Sequence, residues 1–165
     1  MLHFLTPRRV FFGLALLAVV AMLFAAWLEH VVGLNPCPLC MTQRVFVVAG
    51  GLVALIAALH GPALKGRRLY AGLGVLLAAG GGAVSARHVW LQNLPADQVP
   101  ACGPSLEYML ETLPFRDTLT MVLMGDGNCA DVHWTFLGMS IPMQTLLLFI
   151  AIALINGWQI LRSDR

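Results

Sequence analysis

Four long segments of this chain contain no Asp, Glu, Lys or Arg. An α-helix rises about 1.5 Å per residue, so about 20 apolar residues cross the hydrocarbon core of a bilayer. A spanning segment must satisfy its own backbone polar groups, which makes it a helix rather than a single strand. The sequence therefore predicts four membrane-spanning helices, at about Val10–Leu28, Val45–Leu64, Leu69–Ala86 and Ile141–Leu161.

The composition supports a membrane protein and excludes other classes. Of 165 residues, 59% are hydrophobic and 11% are charged, whereas soluble domains carry about 25% charged residues. A small soluble domain could not bury so much apolar surface, and the hydrophobicity excludes a disordered chain. A net charge of +2 without a basic stripe gives no sign of nucleic-acid binding. We expect an all-α membrane protein with one integral domain over residues 1–165, built as an antiparallel four-helix transmembrane bundle.

The basic residues predict how the helices are oriented. Lys and Arg collect on the cytoplasmic side of membrane proteins. In a four-span topology, both termini and the connection between the second and third spans lie on one face. That face carries most of the basic residues, which places both termini in the cytoplasm and leaves external loops at about 29–44 and 88–140. The residues concerned are Arg8, Arg9, Lys65, Arg67, Arg68, Arg162 and Arg165.

The long external loop has local structure of its own. The stretch Pro104–Glu111 predicts a short amphipathic helix, because Pro, Ser and an early Glu suit a helix N-terminus. A second apolar-faced stretch, Phe115–Met124, is predicted to lie on the membrane surface. Gly125–Asn128 is rich in turn-forming residues.

All four cysteines fall in the two external loops of this topology. Cys37 and Cys40 form a CxxC just before the second span. A disulfide within so short a motif is strained and reducible, and a thiolate near a helix N-terminus is stabilised by the helix dipole. Arg44 follows at spacings that share a helix face with both cysteines if the second helix extends that far, and its cation there would favour a thiolate and could bond a ligand carbonyl. The alternatives are a purely structural disulfide between Cys37 and Cys40, or a zinc site in which these two cysteines are half of the ligands.

Cys102 and Cys129 flank a 26-residue stretch of the long loop. A disulfide between them would stabilise the loop by about 3–4 kcal/mol, which is the purely structural interpretation. Gly103 beside Cys102 and Asn128 beside Cys129 predict that both cysteines are exposed. One pair on a helix end and one pair on an accessible loop also resemble a thiol–disulfide relay.

These motifs together resemble the DsbB family of disulfide bond formation proteins. The resemblance rests on the segment Pro-Cys-Pro-Leu-Cys-Met-Thr-Gln-Arg at 36–44, on Cys102, on Gly-Asp-Gly-Asn-Cys-Ala at 125–130, and on the segment from Trp134 to Pro142. It covers nearly the whole chain. The Pro-Leu dipeptide between Cys37 and Cys40 stiffens the motif and should alter the redox potential of the pair, in a direction that the sequence leaves open. Because some proteins of this family serve dedicated partners, the resemblance leaves open whether the partner is general or dedicated.

The resemblance implies an enzyme of the bacterial inner membrane with its cysteines in the periplasm. Such an enzyme reoxidises a periplasmic thioredoxin-like thiol oxidase of the DsbA type and passes the electrons to ubiquinone or menaquinone. Cys102 would be attacked by the partner's thiolate, which frees Cys129 to engage Cys37. Cys40 would then face the quinone, supported by Arg44 and His88. A hydrated interfacial anchor is the alternative role for His88.

Energetics favour a strong electron acceptor for such a reaction. A donor of this type has a potential near −120 mV, whereas structural disulfides lie below about −300 mV. The gap corresponds to about 8 kcal/mol for two electrons, so an ordinary stable disulfide could not oxidise the donor. A membrane quinone supplies that driving force. The chain has no GxGxxG or P-loop motif that would indicate a bound nucleotide cofactor.

Two other functions remain open on the sequence. Vitamin K epoxide reductase-like enzymes also combine several spans with a CxxC, but theirs lies late in the chain, whereas here it precedes the second span. A non-enzymatic scaffold or channel would carry two structural disulfides. A channel needs polar residues along its path, and the predicted spans contain few of them, among which are Ser85, Gln144, Thr145 and Asn156.

Overall fold

Helices dominate the chain. The computed structural model describes residues 6–95, 97–103, 106–132 and 134–162. Within them the elements, in chain order, are α1 (Pro7–His30), α2 (Pro38–His60), α3 (Leu64–Gln92), α4 (Leu106–Thr112), α5 (Phe115–Met124), α6 (Gly127–Ala130), β1 (Thr135–Phe136), β2 (Met139–Ser140) and α7 (Ile141–Leu161).

Four of these helices, α1, α2, α3 and α7, are long and apolar enough to cross a membrane. Their outer faces carry large apolar side chains that are left exposed by the described part of the chain. Leu23, Leu76 and Leu154, for example, are each between 65% and 70% exposed. Such a surface is stable against lipid rather than against water. The structure confirms the predicted all-α, four-helix membrane bundle.

Helix α2 begins seven residues before the predicted start of the second span, and it ends four residues before the predicted end of that span. The predicted span starts after Arg44 because a span was defined as a segment without charged residues. The true start is set by Cys37, which caps the helix, and by Pro38, which suits the first turn. The helix ends where Gly61 takes a left-handed conformation, with φ of +58°, as is common at helix C-termini. Residues 38–44 of the predicted external loop 29–44 are therefore helical.

The other boundaries differ for the same physical reason. Helices α1 and α3 extend beyond the predicted spans at both ends and include charged residues such as Arg8, Glu29 and Lys65. A charged side chain at a helix end can reach the aqueous interface while its backbone stays helical. A charged residue therefore ends a charge-free segment of the sequence but does not end the helix. Helix α7 has the predicted bounds of 141–161.

The long connection between α3 and α7 contains the predicted short helices. Helix α4 covers the second part of the predicted amphipathic segment, whereas Pro104 and Ser105 lie outside the described residues. Helix α5 spans the whole of the second predicted stretch. It buries Thr118 and Val122 and exposes Phe115 and other apolar residues. Its location on a membrane surface stays a prediction.

A small antiparallel hairpin, absent from the all-α prediction, precedes α7. Thr135 pairs with Ser140 and Phe136 with Met139. The two residues of the turn, Leu137 and Gly138, both have positive φ, at 53° and 76°. Two positive φ angles are the signature of the tight hairpin turn that matches strand twist. Leucine rarely adopts this conformation, which is why the turn was not predicted.

The spanning helices pack in the order α1, α2, α3 and α7. Small residues allow the closest approaches, as is common between membrane helices. The tightest involves Gly81 of α3, where an added Cβ would lie 2.2 Å from Cζ of Phe149 in α7. Phe149 is itself almost fully buried. The neighbouring Gly82 has ample room, with its nearest atom 3.7 Å from such a Cβ.

Replacing Gly81 is therefore expected to loosen the contact between α3 and α7. Gly81→Ala should lower the thermal unfolding midpoint in detergent, because overpacking costs about 1–3 kcal/mol. Gly82→Ala is the matched control and should leave the midpoint unchanged or raise it, because alanine favours the helix. Equal midpoints for the two variants would show that Phe149 adapts without cost.

Candidate active site

The first two cysteines meet at the start of α2. Their Sγ atoms lie 3.3 Å apart, and both are free thiols. The backbone N–H of Cys40 donates to Sγ of Cys37 at 3.4 Å, so the Cys37 side chain serves as the helix cap. Cys37 is buried and Cys40 is half-buried. The two sulfurs are close enough to form a disulfide with a small adjustment.

Cys129, on α6, packs against this pair. Gly125, with a φ of +73°, turns the chain beside Leu39 and Leu91 just before α6, and Cys129 is fully buried in the same apolar cluster as Cys37. The prediction that Cys129 is exposed is therefore wrong. Loop residues can be polar while the thiol between them points into the bundle. The hydrogen bond of its thiol with Cys37, followed by burial, raises the pKa of Cys129.

Cys102 is exposed, as predicted. It lies beside α6, because the N–H of Gly127 donates to the carbonyl of Ala101 at 3.3 Å. A Cβ added at Gly127 would come within 3.1 Å of the Cys102 sulfur. The loop cysteines are thus held by adjacent backbone, one open to solvent and one inside the bundle.

His88 reaches the cysteines from α3. Its Nε2 lies 3.7 Å from Sγ of Cys37, and its Nδ1 lies 4.0 Å from Sγ of Cys40. The ring is only 2% exposed, so His88 is not the hydrated anchor that the sequence left as an alternative. Nε2 of Gln43 bonds Nδ1 of the ring at 3.2 Å. Sequence analysis missed Gln43, although its position three residues after Cys40 puts it on the adjacent turn.

Arg44 lines the same cavity as Cys37 and Cys40, which places the three on one side of α2 as predicted. Its guanidinium forms an ion pair with Glu29 near the end of α1 and donates to the carbonyl of Ala25 at 3.4 Å. Glu29 was missed, because nothing in the sequence pairs residues 15 positions apart on different helices.

A cavity of about 270 Å³ opens beside these groups. It lies between α1 and α7, with α2 behind it. Apolar side chains such as Leu28, Val47 and Leu148 form much of its wall, and Cys40, Arg44 and His88 add polar groups. Trp134 lines it next to the hairpin and stacks on Phe136, while Phe24 meets the Trp134 ring edge-on. Apolar walls with a few convergent polar groups are typical of a ligand site.

The cluster offers ligands of the kind that zinc prefers, but not the predicted set. The zinc alternative required all four cysteines, whereas the structure brings Cys37 and Cys129 together with His88, their donor atoms within 4.8 Å of one another. Nε2 of Gln43 also lies 3.2 Å from Nδ1 of His88, and Nε2 of the ring lies 3.7 Å from Sγ of Cys37.

The geometry predicts which cysteines cross-link first. In a Cys40→Ser/Cys102→Ser variant, mild oxidation should join Cys37 to Cys129 rapidly, because their sulfurs lie within 4.8 Å. A Cys40→Ser/Cys129→Ser variant should join Cys37 to the exposed Cys102 at least tenfold more slowly. Electrophoresis without reductant, after trapping of free thiols, measures both rates. Equal rates would contradict the observed proximity of Cys129 to Cys37.

Comparisons with known proteins identify the family. The family model for disulfide bond formation protein DsbB matches residues 7–159. Disulfide bond formation protein B of Stutzerimonas stutzeri (strain A1501) is 51% identical over 159 residues, which are 96% of this chain and 98% of that protein. Disulfide bond formation protein B 1 of Pseudomonas aeruginosa (strain PAO1) is 53% identical over 147 residues, which are 88% and 90% of the two chains. This chain therefore belongs to the DsbB family of disulfide bond formation proteins.

Proposed function

We propose that this protein is a quinone-dependent thiol oxidase of the bacterial inner membrane, with both termini cytoplasmic and its cysteines in the periplasm. It reoxidises a thioredoxin-like disulfide donor of the DsbA type. The observation that carries the proposal is the position of Cys37. Its sulfur lies 3.3 Å from Cys40 on one side and within 4.8 Å of Cys129 on the other, so it can exchange a disulfide between the two.

The exposed loop cysteine begins the reaction. A thiolate of the donor attacks Cys102 in a Cys102–Cys129 disulfide, and the electron pair of the broken S–S bond leaves on Cys129. The second donor thiolate then displaces Cys102, so the donor departs as a disulfide. The exposure of Cys102 supports its role as the point of attack. The burial of Cys129 supports its role as the internal carrier.

Internal exchange follows. The Cys129 thiolate attacks Cys37 in a Cys37–Cys40 disulfide, which forms the Cys37–Cys129 bond and leaves the electron pair on Cys40. Attack of Cys102 on Cys129 then restores the loop disulfide and releases Cys37. The two electrons and two protons from the donor now reside on Cys37 and Cys40, at the edge of the cavity.

The cavity fits the head group of a membrane quinone. Its walls are mostly apolar, it borders on Cys40, and Arg44 lines it with a guanidinium that can bond a carbonyl oxygen. A quinone bound there would accept two electrons and two protons as Cys37 and Cys40 return to a disulfide. In this arrangement Glu29 holds Arg44 in place. His88 would be a second polar group near the quinone ring.

A coupled assay tests this function. The purified protein in detergent, given a reduced thioredoxin-like periplasmic protein, should reduce ubiquinone or menaquinone, as followed by quinone absorbance. Cys40→Ser should lose quinone reduction, because the electron pair cannot reach the cavity. The same variant should still form a mixed disulfide with the donor through Cys102. Absence of turnover with several donors and both quinones would instead favour a scaffold with structural disulfides.

Arg44→Ala should chiefly impair the use of quinone. The KM for quinone should rise about tenfold or more, because a hydrogen bond to a charged donor contributes about 1.5–3 kcal/mol. The rate of mixed-disulfide formation with the donor should be unaffected. Arg116→Ala, which removes an exposed cation of α5, is the matched control. Unchanged quinone kinetics in Arg44→Ala would remove this residue from the quinone site.

A further inference from the structure

Two buried polar side chains, Gln43 and His88, face each other between α2 and α3. They are 3% and 2% exposed, and Nε2 of Gln43 lies 3.2 Å from Nδ1 of His88. A buried amide or imidazole without a partner is costly. The contact satisfies one polar atom on each side chain, and it also fixes the orientation of the ring.

We propose that Gln43 is a positioning residue that holds the His88 imidazole with its hydrogen on Nε2, directed at the Cys37 sulfur. The amide nitrogen can only donate, so Nδ1 must accept and the single ring hydrogen of neutral His88 resides on Nε2. That atom is 3.7 Å from Sγ of Cys37, within the range of hydrogen bonds to sulfur. His88 thereby donates a hydrogen bond to Cys37 and stabilises its thiolate.

The surroundings of Cys37 make this hydrogen bond important. The titratable groups that face the Cys37–His88 contact are Cys40 from α2 and Cys129 from α6, and both are anionic when ionised. Arg44, which lines the same cavity, is already bonded to Glu29 and to the Ala25 carbonyl. The thiolate is the reactive form of a cysteine, so a donor held against Cys37 increases its reactivity near neutral pH.

The inference rests on the proposed function only for the use of Cys37 in exchange. The position of the proton and the reactivity of the thiol can both be measured without a disulfide donor or a quinone. The inference can therefore fail while the thiol oxidase activity stands, and the reverse also holds.

The position of the proton is the direct test. Nitrogen-15 NMR of the reduced full-length protein, labelled at histidine, reports which ring nitrogen of His88 carries hydrogen. We expect hydrogen on Nε2 in the unsubstituted protein and a mixture of the two tautomers in Gln43→Leu. Gln98→Leu makes the same chemical change at an exposed position and should leave the His88 signals unchanged. Hydrogen on Nδ1 in the unsubstituted protein would overturn the inference, even if no variant folds.

Thiol reactivity is the second readout. A full-length variant that retains Cys37, with Ser at the other three cysteine positions, is alkylated by iodoacetamide over a range of pH. Loss of the donor in Gln43→Leu should slow alkylation about tenfold near neutral pH and move the midpoint of the profile to higher pH. Gln43→Glu should restore the rate and move the midpoint to lower pH, because a carboxylate at this position favours the doubly protonated ring, which keeps the Nε2 hydrogen.

A merely structural role for Gln43 predicts a different pattern. It would change the amplitude of labelling or the unfolding midpoint of the variants, but the pH midpoint of alkylation would stay the same in Leu and Glu variants alike. That result would overturn the positioning role.

Discussion

Helix α2 begins at Cys37 because the sulfur of that residue accepts the Cys40 N–H and Pro38 needs no hydrogen bond in the first turn. This single N-cap places the functional groups of the helix. It brings the Cys37 and Cys40 sulfurs together, and one turn later it points Gln43 toward α3 and Arg44 toward α1. Had the helix begun after Arg44, as the charge-free window suggests, these side chains would have no fixed direction.

Each of the neighbouring helices α1 and α3 contributes one polar side chain to the site. Helix α1 supplies Glu29, which neutralises Arg44 at the wall of the cavity. Helix α3 supplies His88, which contacts both cysteines of α2. Polar groups at this depth are expensive unless they are paired, so each cation or ring has a partner on another helix. These pairings also fix how the helices are oriented around the cysteines.

The sequence predicted the parts of this site that depend on local periodicity. Four apolar segments predicted the bundle, and the bounds of α7 were predicted without error. The spacing of Cys37, Cys40 and Arg44 predicted a shared helix face. The start of α2 was missed because the span was predicted from the absence of charged residues, whereas the helix start depends on the uncharged residues Cys37 and Pro38.

Contacts between distant segments were beyond such reasoning. The burial of Cys129 depends on the turn at Gly125, which sets α6 against Leu39 and Leu91, and polar neighbours in the sequence suggested the opposite. The Glu29–Arg44 and Gln43–His88 pairs join residues of different helices. A single sequence contains no signal for such pairs, since their separation depends on how the helices are packed.

The packing order of the bundle explains how the cysteine cluster and the cavity come to lie at the same end of the protein. Because α3 packs on both α2 and α7 while α1 packs on α2, the cavity lies between α1 and α7 at the end of the bundle that holds Cys37 and Cys40. Cys40 borders that space, whereas Cys129 approaches Cys37 from the α3 side, next to Leu91. Cys37 lies between the two approaches. In the proposed reaction, Cys37 therefore connects the thiol of Cys129, on the α3 side, with the cavity bordered by Cys40.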